Sequence, residues 1–319
     1  MKKNKLRPIN IVFYSKWDSF EKWRNILINH NMNLYNWPDD FKKNSTYSNI
    51  NGALVWDPPD EIWKHFPNIK IIQSLGAGVD HILRKKIPEN VNIIKLHDPN
   101  LSNQMAEYAL MSVLMCKRKY FQYSKNMSNK KWNQLTPLDN KDFKITILGY
   151  GNISKLIIKN FKSMGFNINV WGHTKRILKN INYYYGINQF HESLKNTSCL
   201  ISLLPDTKFT KDLIGLNEFK LLNSESYFIN IGRGNTVNQD ELNYALRNNI
   251  LTGAIIDVFK QEPLTKKEEL WNLKNIYITP HIAGITNATE YTAKLLRENF
   301  DNIYNKKSLR NRVNTVKGY

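Results

Sequence analysis

Residues 144–154 read KITILGYGNIS, an apolar strand that runs straight into a glycine turn. A helical stretch, Ser154 to Met164, follows, and a second strand, Phe166–Trp171, comes next. That order constrains the fold strongly, because a strand–turn–helix–strand unit forces a parallel pair joined by a crossover. Gly149 permits the tight turn, and Gly151 lets backbone approach a pyrophosphate. Amides at the helix start, those of Asn152 and Ile153, then face anionic phosphates, where the helix dipole favours negative charge. Ser154 stands where the GxGxxG pattern has its third glycine. Serine is small, so a slight adjustment of helix–strand packing is expected, with the site retained.

The rest of the chain repeats the rhythm. Ile9–Tyr14, Gly52–Trp56, Ile69–Ser74 and Asn92–Lys95 read as strands, with helices over Trp17–Asn29 and Pro58–His65. From Ser102 to about Lys125 apolar residues recur at spacings of three and four, predicting one long helix placed to connect two domains. Cys199–Leu204, Tyr227–Ile231, Gly253–Val258 and Ile276–Thr279 are later strands, and a final helix follows Ala288. A chain of 319 residues is long for one core. The expected fold class is α/β, with two Rossmann-like domains of doubly wound parallel sheet and a cleft between them. Residues 1–99 and 288–319 form a substrate domain and residues 100–287 a dinucleotide domain.

Cofactor choice rests on the end of the second strand, where NAD sites place an acid for the ribose 2′-hydroxyl. No acidic residue occurs between Asp142 and Glu192. The strand runs instead into Gly172, His173, Thr174, Lys175 and Arg176. A carboxylate there repels a 2′-phosphate, whereas Thr174, Lys175 and Arg176 can bind it. NADP(H) is therefore preferred, with NAD(H) possible. The competing reading is that these are ordinary surface charges of a Lys-rich chain.

Three later segments each end a predicted strand: NIGRG at 230–234, DVFKQEP at 257–263 and TPHIAG at 279–284. Strand C-termini of an open parallel sheet line one crevice, so Arg233, Glu262 and His281 are expected to meet there as the catalytic set. A histidine can deliver a proton near neutral pH. A carboxylate on its other ring nitrogen orients it, and an arginine binds a carboxylate or stabilises developing oxyanion charge. Singly, each residue has a structural reading: a hydrogen-bonding histidine, a surface arginine, a turn glutamate. Their joint occurrence after a nucleotide turn favours reduction of a small anionic 2-oxo acid.

With these segments in hand the chain resembles the D-isomer-specific 2-hydroxyacid dehydrogenases, in particular their glyoxylate/hydroxypyruvate reductase A group. LVWDPP, SLGAGVDHI, QMAEYA, LLPDTKFTKDLIG, NIGRG, DVFKQEPL, LW, TPHIAG and a terminal GY occur in order over nearly the whole chain. The resemblance implies a homodimer of bilobed subunits, with Arg233 on the substrate, Glu262 as partner of the histidine and His281 as acid/base. It implies that Asp257 holds the nicotinamide carboxamide. It also implies that the loop of Ala77 and Gly78 grips the substrate carboxylate, with Asp80 structural. Leu204, Pro205 and Ile231 complete the cofactor candidates, and Trp56 is a candidate wall of the substrate pocket or a core residue. NADP-preferring relatives often have arginine where His173 stands. Two alternatives stay open: a dehydrogenase of the same family for another 2-hydroxy acid, and a non-enzymatic nucleotide-sensing protein on the same fold.

The formal net charge of +19 raises a nucleic-acid partner as a question. Lys and Arg are scattered through helices and loops, which argues against such a partner and suits anionic ligands. Cys116 and Cys199 sit in apolar runs without metal-ligand spacing, so they read as buried, reduced core residues and no metal is expected. The apolar stretch after the basic N-terminus is too short for a signal peptide, and no 18-residue apolar run exists. A cytoplasmic protein without membrane contact is the expectation.

Overall fold

In a computed structural model, which describes residues 8–96, 98–285 and 288–315, the chain divides into two compact units. One comprises Met1–Asp98 with Thr286–Tyr319, the other Pro99–Ile285. The terminal Gly318 and Tyr319 lie outside the described residues.

The first unit holds β1 (Ile9–Tyr14), β2 (Met32–Asn36), β3 (Gly52–Val55), β4 (Ile71–Ser74) and β5 (Asn92–Ile94). They form one parallel sheet in the order β2-β1-β3-β4-β5. Strand alternation sends Ile9, Ile11 and Phe13 to one face and Val12 to the other. The first face is covered by α1 (Phe20–Ile28) and, from the far end of the chain, by the helix Thr289–Tyr304. Phe300 of that helix is fully buried, and a Cβ on Gly52 would come within 2.7 Å of its ring. The opposite face packs on Ile62, Trp63 and Phe66, which belong to a short 3₁₀ helix, Asp60–His65, and its cap.

The second unit carries β6 (Ile145–Leu148), β7 (Ile168–Gly172), β8 (Asn182–Tyr185), β9 (Cys199–Ser202), β10 (Tyr227–Asn230), β11 (Gly253–Ile256) and β12 (Ile276–Ile278). All neighbours are parallel, in the order β12-β11-β10-β9-β6-β7-β8. The order reverses between β6 and β9, the position where such sheets open a ligand crevice. The expected pair of doubly wound α/β sheets is thus what the chain forms. Both faces are buried, so the strands read as apolar runs. Cys116 and Cys199 are buried and unpaired.

The long helix expected from Ser102 to Lys125 is two helices, Pro99–Lys117 and Tyr120–Ser128. Lys119 takes the left-handed conformation between them. The break turns Phe121 inward, where its ring lies 4.8 Å from that of Tyr277 and 5.6 Å from that of Tyr227. Burial of one aromatic outweighs continuation of a charged helical turn.

Phe300→Ala should destabilise the first unit by ~3–5 kcal/mol, because a large ring leaves a cavity between helix and sheet. Thermal unfolding checks this; a midpoint lowered by less than about 2 °C would contradict it.

Candidate active site

All strands of the second unit run in one direction, so the loops after β6, β9, β10, β11 and β12 emerge at one edge. Two glycines draw them together around Arg233. A Cβ on Gly232 would stand 2.7 Å from the carbonyl oxygen of Leu204. One on Gly234 would stand 1.9 Å from the backbone carbon of Phe259. The NIGRG loop therefore lies in direct backbone contact with the loops after β9 and β11, and only glycine fits at either position. Buried Asn230 closes the loop: its Nδ2 donates to the Arg233 carbonyl at 3.1 Å, and its Oδ1 accepts from Gly232 N–H at 3.2 Å. The Thr236 hydroxyl donates to the same carbonyl at 2.7 Å.

His281 Nδ1 and Glu262 Oε2 are 2.7 Å apart, with both side chains about one-third exposed. Glu262 Oε1 also accepts the Phe259 N–H at 2.9 Å. Burial pushes the Glu262 carboxyl up, but the hydrogen bond and charge of His281 outweigh it. The Phe259 amide and the charge of Arg233 add to them, and the group is held below the usual carboxylate range. An ionised Glu262 only accepts, so Nδ1 carries a hydrogen and Nε2 is left for another partner. Of the three catalytic candidates, Glu262 and His281 thus meet directly, and the charge of Arg233 acts on Glu262.

His281 adopts φ +57°, a left-handed conformation uncommon outside glycine and asparagine. Its backbone is held there by Asp257. The His281 N–H donates to the Asp257 carbonyl at 2.9 Å. The Asp257 carboxylate, 1% exposed, accepts the N–H groups of Ile282 and Ala283, each at 2.8 Å, and the Thr279 hydroxyl at 2.6 Å. Tyr108, in the helix Pro99–Lys117, lies 2.5 Å from Thr279 Oγ1. Burial pushes the Tyr108 phenol up to about 12, opposed by the Thr279 bond and helped by the nearby Asp257 charge. It therefore remains a donor to Thr279, which donates onward to Asp257. Sequence reasoning named Asp257 but not Thr279 or Tyr108. Both lay inside named segments, TPHIAG and QMAEYA, but at 171 residues apart nothing in the sequence linked the two hydroxyls.

At the glycine turn, Gly149 has φ +102° and lies against the Leu203 carbonyl, so its conformation requires glycine. A Cβ on Gly151 would meet nothing within 4 Å, so backbone there borders open space at the start of the helix Asn152–Ser163. Ser154 does more than fit. It is buried, and its Oγ accepts from Gly151 N–H at 2.7 Å and donates to Gly151 O at 3.0 Å. Asn152 is exposed and Ile153 half-buried. The side chains of Leu204 and Ile231 are core residues, so only their backbone can meet a ligand; the Pro205 carbonyl accepts from Thr210. Thr174, Lys175 and Arg176 are exposed after β7, and His173 stacks on Phe209 at 5.4 Å.

In the first unit, the loop after β4 is shaped by a tryptophan. A Cβ on Gly76 would come within 2.5 Å of the Trp56 ring, and the Trp56 and His81 rings lie 4.2 Å apart, tilted by 40°. Ser74 Oγ donates to the Gly78 carbonyl at 2.8 Å. Ala77 and Gly78 are half-buried. Among the described residues, no group of His, Cys, Asp and Glu side chains is placed to hold a metal ion, and no helix is long and apolar enough to cross a membrane.

The sequence model described as "D-isomer specific 2-hydroxyacid dehydrogenase, NAD binding domain" matches residues 110–283. A Photorhabdus laumondii protein named glyoxylate/hydroxypyruvate reductase A is 32% identical over 286 residues, 87% of this chain and 90% of the relative. A D-isomer specific 2-hydroxyacid dehydrogenase of Xanthobacter autotrophicus, solved with NADPH and MES, superposes with TM-score 0.89 at 27% identity over 98% of this chain and all of that one. A probable 2-hydroxyacid dehydrogenase of Rhizobium etli, solved with NADP, HEPES and L(+)-tartaric acid, gives TM-score 0.88 at 26% identity with the same coverage.

Since the Glu262 carboxyl is depressed in the folded protein, its bond to His281 contributes stability that is full above the ordinary glutamate value of 4.5. That contribution is lost as pH falls through the folded-state value. Glu262→Gln should accordingly melt below wild type at neutral pH, with the gap closing on acidification. A gap that is constant with pH would contradict this.

Proposed function

As the chain belongs to the D-isomer-specific 2-hydroxyacid dehydrogenases, NAD(P)-dependent oxidoreductases, we propose that it reduces small 2-oxo acids with NADPH, glyoxylate and hydroxypyruvate foremost. The observation that carries this reading is the Glu262–His281 pair at 2.7 Å within the field of Arg233. The residues present fit the cofactor. Gly151 borders open space at a helix N-terminus, and an acid-free basic loop follows β7. Asn152 and Ile153 would meet the pyrophosphate with their amides, and Thr174, Lys175 and Arg176 the 2′-phosphate. Leu204, Pro205 and Ile231 would offer backbone only, and Asp257 would reach the nicotinamide carboxamide with its remaining acceptor capacity. Relatives solved with NADPH and NADP agree with this choice.

Bound there, NADPH supplies hydride to the carbonyl carbon of the oxo acid. The protein supplies the other half of the reaction. His281, protonated at Nε2, gives its proton to the carbonyl oxygen as charge develops. Glu262 keeps the ring oriented and stabilises the imidazolium. Arg233 pairs with the substrate carboxylate and the developing oxyanion. Within the first unit, the amides of Ala77 and Gly78 would bind a carboxylate, and Trp56, packed on that loop, would wall the pocket. Residues 1–98 and 286–319 thus serve as the substrate domain and residues 99–285 as the dinucleotide domain. A homodimer in the cytoplasm is the proposed working form.

Loss of NADPH absorbance on mixing the protein with glyoxylate, hydroxypyruvate or pyruvate tests the substrate reading, with NADH as comparison. Turnover of pyruvate above the other two would displace it towards another 2-hydroxy acid. His281→Ala should lower kcat by at least about a hundredfold, on the scale of general acid catalysis. Near-normal turnover would remove His281 from its role.

A further inference from the structure

The cations after β7 are organised by aromatic faces. Arg176 lies 5.5 Å from the ring centroid of Tyr150, the residue between the two motif glycines. Lys155, from the first turn of the helix Asn152–Ser163, lies 5.7 Å from the same centroid. Lys175 sits 5.8 Å from the ring of Tyr185. Tyr150 in turn meets the edge of Tyr183, centroids 5.8 Å apart at 72°. The Tyr183 hydroxyl donates to the Thr174 carbonyl at 2.7 Å. It reaches there across Gly172, where a Cβ would stand 2.4 Å from that oxygen. Two elements therefore converge on one ring: the glycine turn supplies it, and β8 props it.

None of Lys155, Lys175 and Arg176 forms an ion pair among the described residues. No carboxylate is near in sequence, since residues 143–191 contain no Asp or Glu. A π face attracts a cation without neutralising it. A carboxylate in its place would have to be displaced by an incoming dianion, and it would repel that dianion. The flat guanidinium of Arg176, resting on a ring, loses freedom in advance and presents its donors for bidentate pairing.

We propose that Tyr150 is a positioning residue for cofactor choice. In this role its ring holds Arg176 and Lys155 as an unneutralised pair for the 2′-phosphate of NADP(H), and Lys155 is a further contact of that phosphate. The inference rests on the NADPH reading above and adds to it two residues outside the β7 loop end.

The test is calorimetric titration of the full chain with NADP⁺ and with NAD⁺. Tyr150→Leu should weaken NADP⁺ by about tenfold while leaving NAD⁺ affinity within about twofold. Tyr150→Phe, which keeps the ring, should restore NADP⁺ binding. Retained NAD⁺ affinity in Tyr150→Leu also reports an intact glycine turn. Should that variant not fold, the exposed Lys155→Gln serves instead, with an expected loss of at least about threefold for NADP⁺ alone. Wild-type protein that binds both nucleotides equally overturns the NADPH reading and this inference with it. A wild-type preference that survives Tyr150→Leu or, where that variant does not fold, Lys155→Gln overturns this inference alone. Equal weakening of both nucleotides also overturns it, because the ring would then serve the turn and not the phosphate.

Discussion

A single buried carboxylate holds the candidate acid in place. Asp257 directly follows β11, and its two oxygens accept from the Thr279 hydroxyl and from consecutive amides of the loop after β12. Its carbonyl accepts from His281 itself. A left-handed backbone at a non-glycine residue is strained by roughly 1–3 kcal/mol and persists only where its surroundings determine it. Here the surroundings are one acid and the hydroxyl chain of Thr279 and Tyr108 behind it. An unpartnered carboxylate at that depth would be strongly destabilising, so the hydrogen bonds that satisfy it are also the ones that aim the imidazole. Stability and function are served by the same bonds.

Close backbone approach completes the arrangement. Gly232 and Gly234 let three loops touch, which leaves Arg233 near the Glu262–His281 pair without a long side-chain reach. The arrangement trades conformational freedom in the unfolded chain for proximity in the folded one. Charge then settles the state of the pair. Burial alone would raise the Glu262 carboxyl, and the hydrogen bond and charge of His281, with the Phe259 amide and Arg233, reverse the sign. An ionised acceptor fixes which ring nitrogen carries hydrogen, and so which one faces a substrate.

Much of this was legible in the residues. Strands such as Ile9–Tyr14 stand out because both faces of each sheet are buried and the runs are apolar. Arg233, Glu262 and His281 could be picked because parallel topology places every strand end on one edge. Other parts were hidden for physical reasons. Met32–Asn36 alternates with asparagine and looks like a loop until it pairs with β1. The sequence Asn182–Tyr185 is an edge strand of partly buried tyrosines, with Tyr183 and Tyr184 against the core and Tyr185 beside Lys175. The break at Lys119 depends on where Phe121 must go, and a periodic pattern does not register that pull. Tyr108 acts through a hydroxyl relay set by packing, which leaves no trace in local spacing.

The return of the chain to its first unit has a consequence for how the polypeptide acquires structure on the ribosome. Residues 99–285 are contiguous and contain every strand of their own sheet, so that unit has its full complement once they have emerged. The sheet begun at Ile9 lacks the cover supplied by Leu295, Leu296 and Phe300 until the last helix is made. At ordinary translation speeds that wait is about 10–40 s. For that interval the apolar face of β1, with Ile9, Ile11 and Phe13, is only partly clothed by its local helix. The early segment is therefore the part of this polypeptide most in need of protection from premature association while synthesis continues.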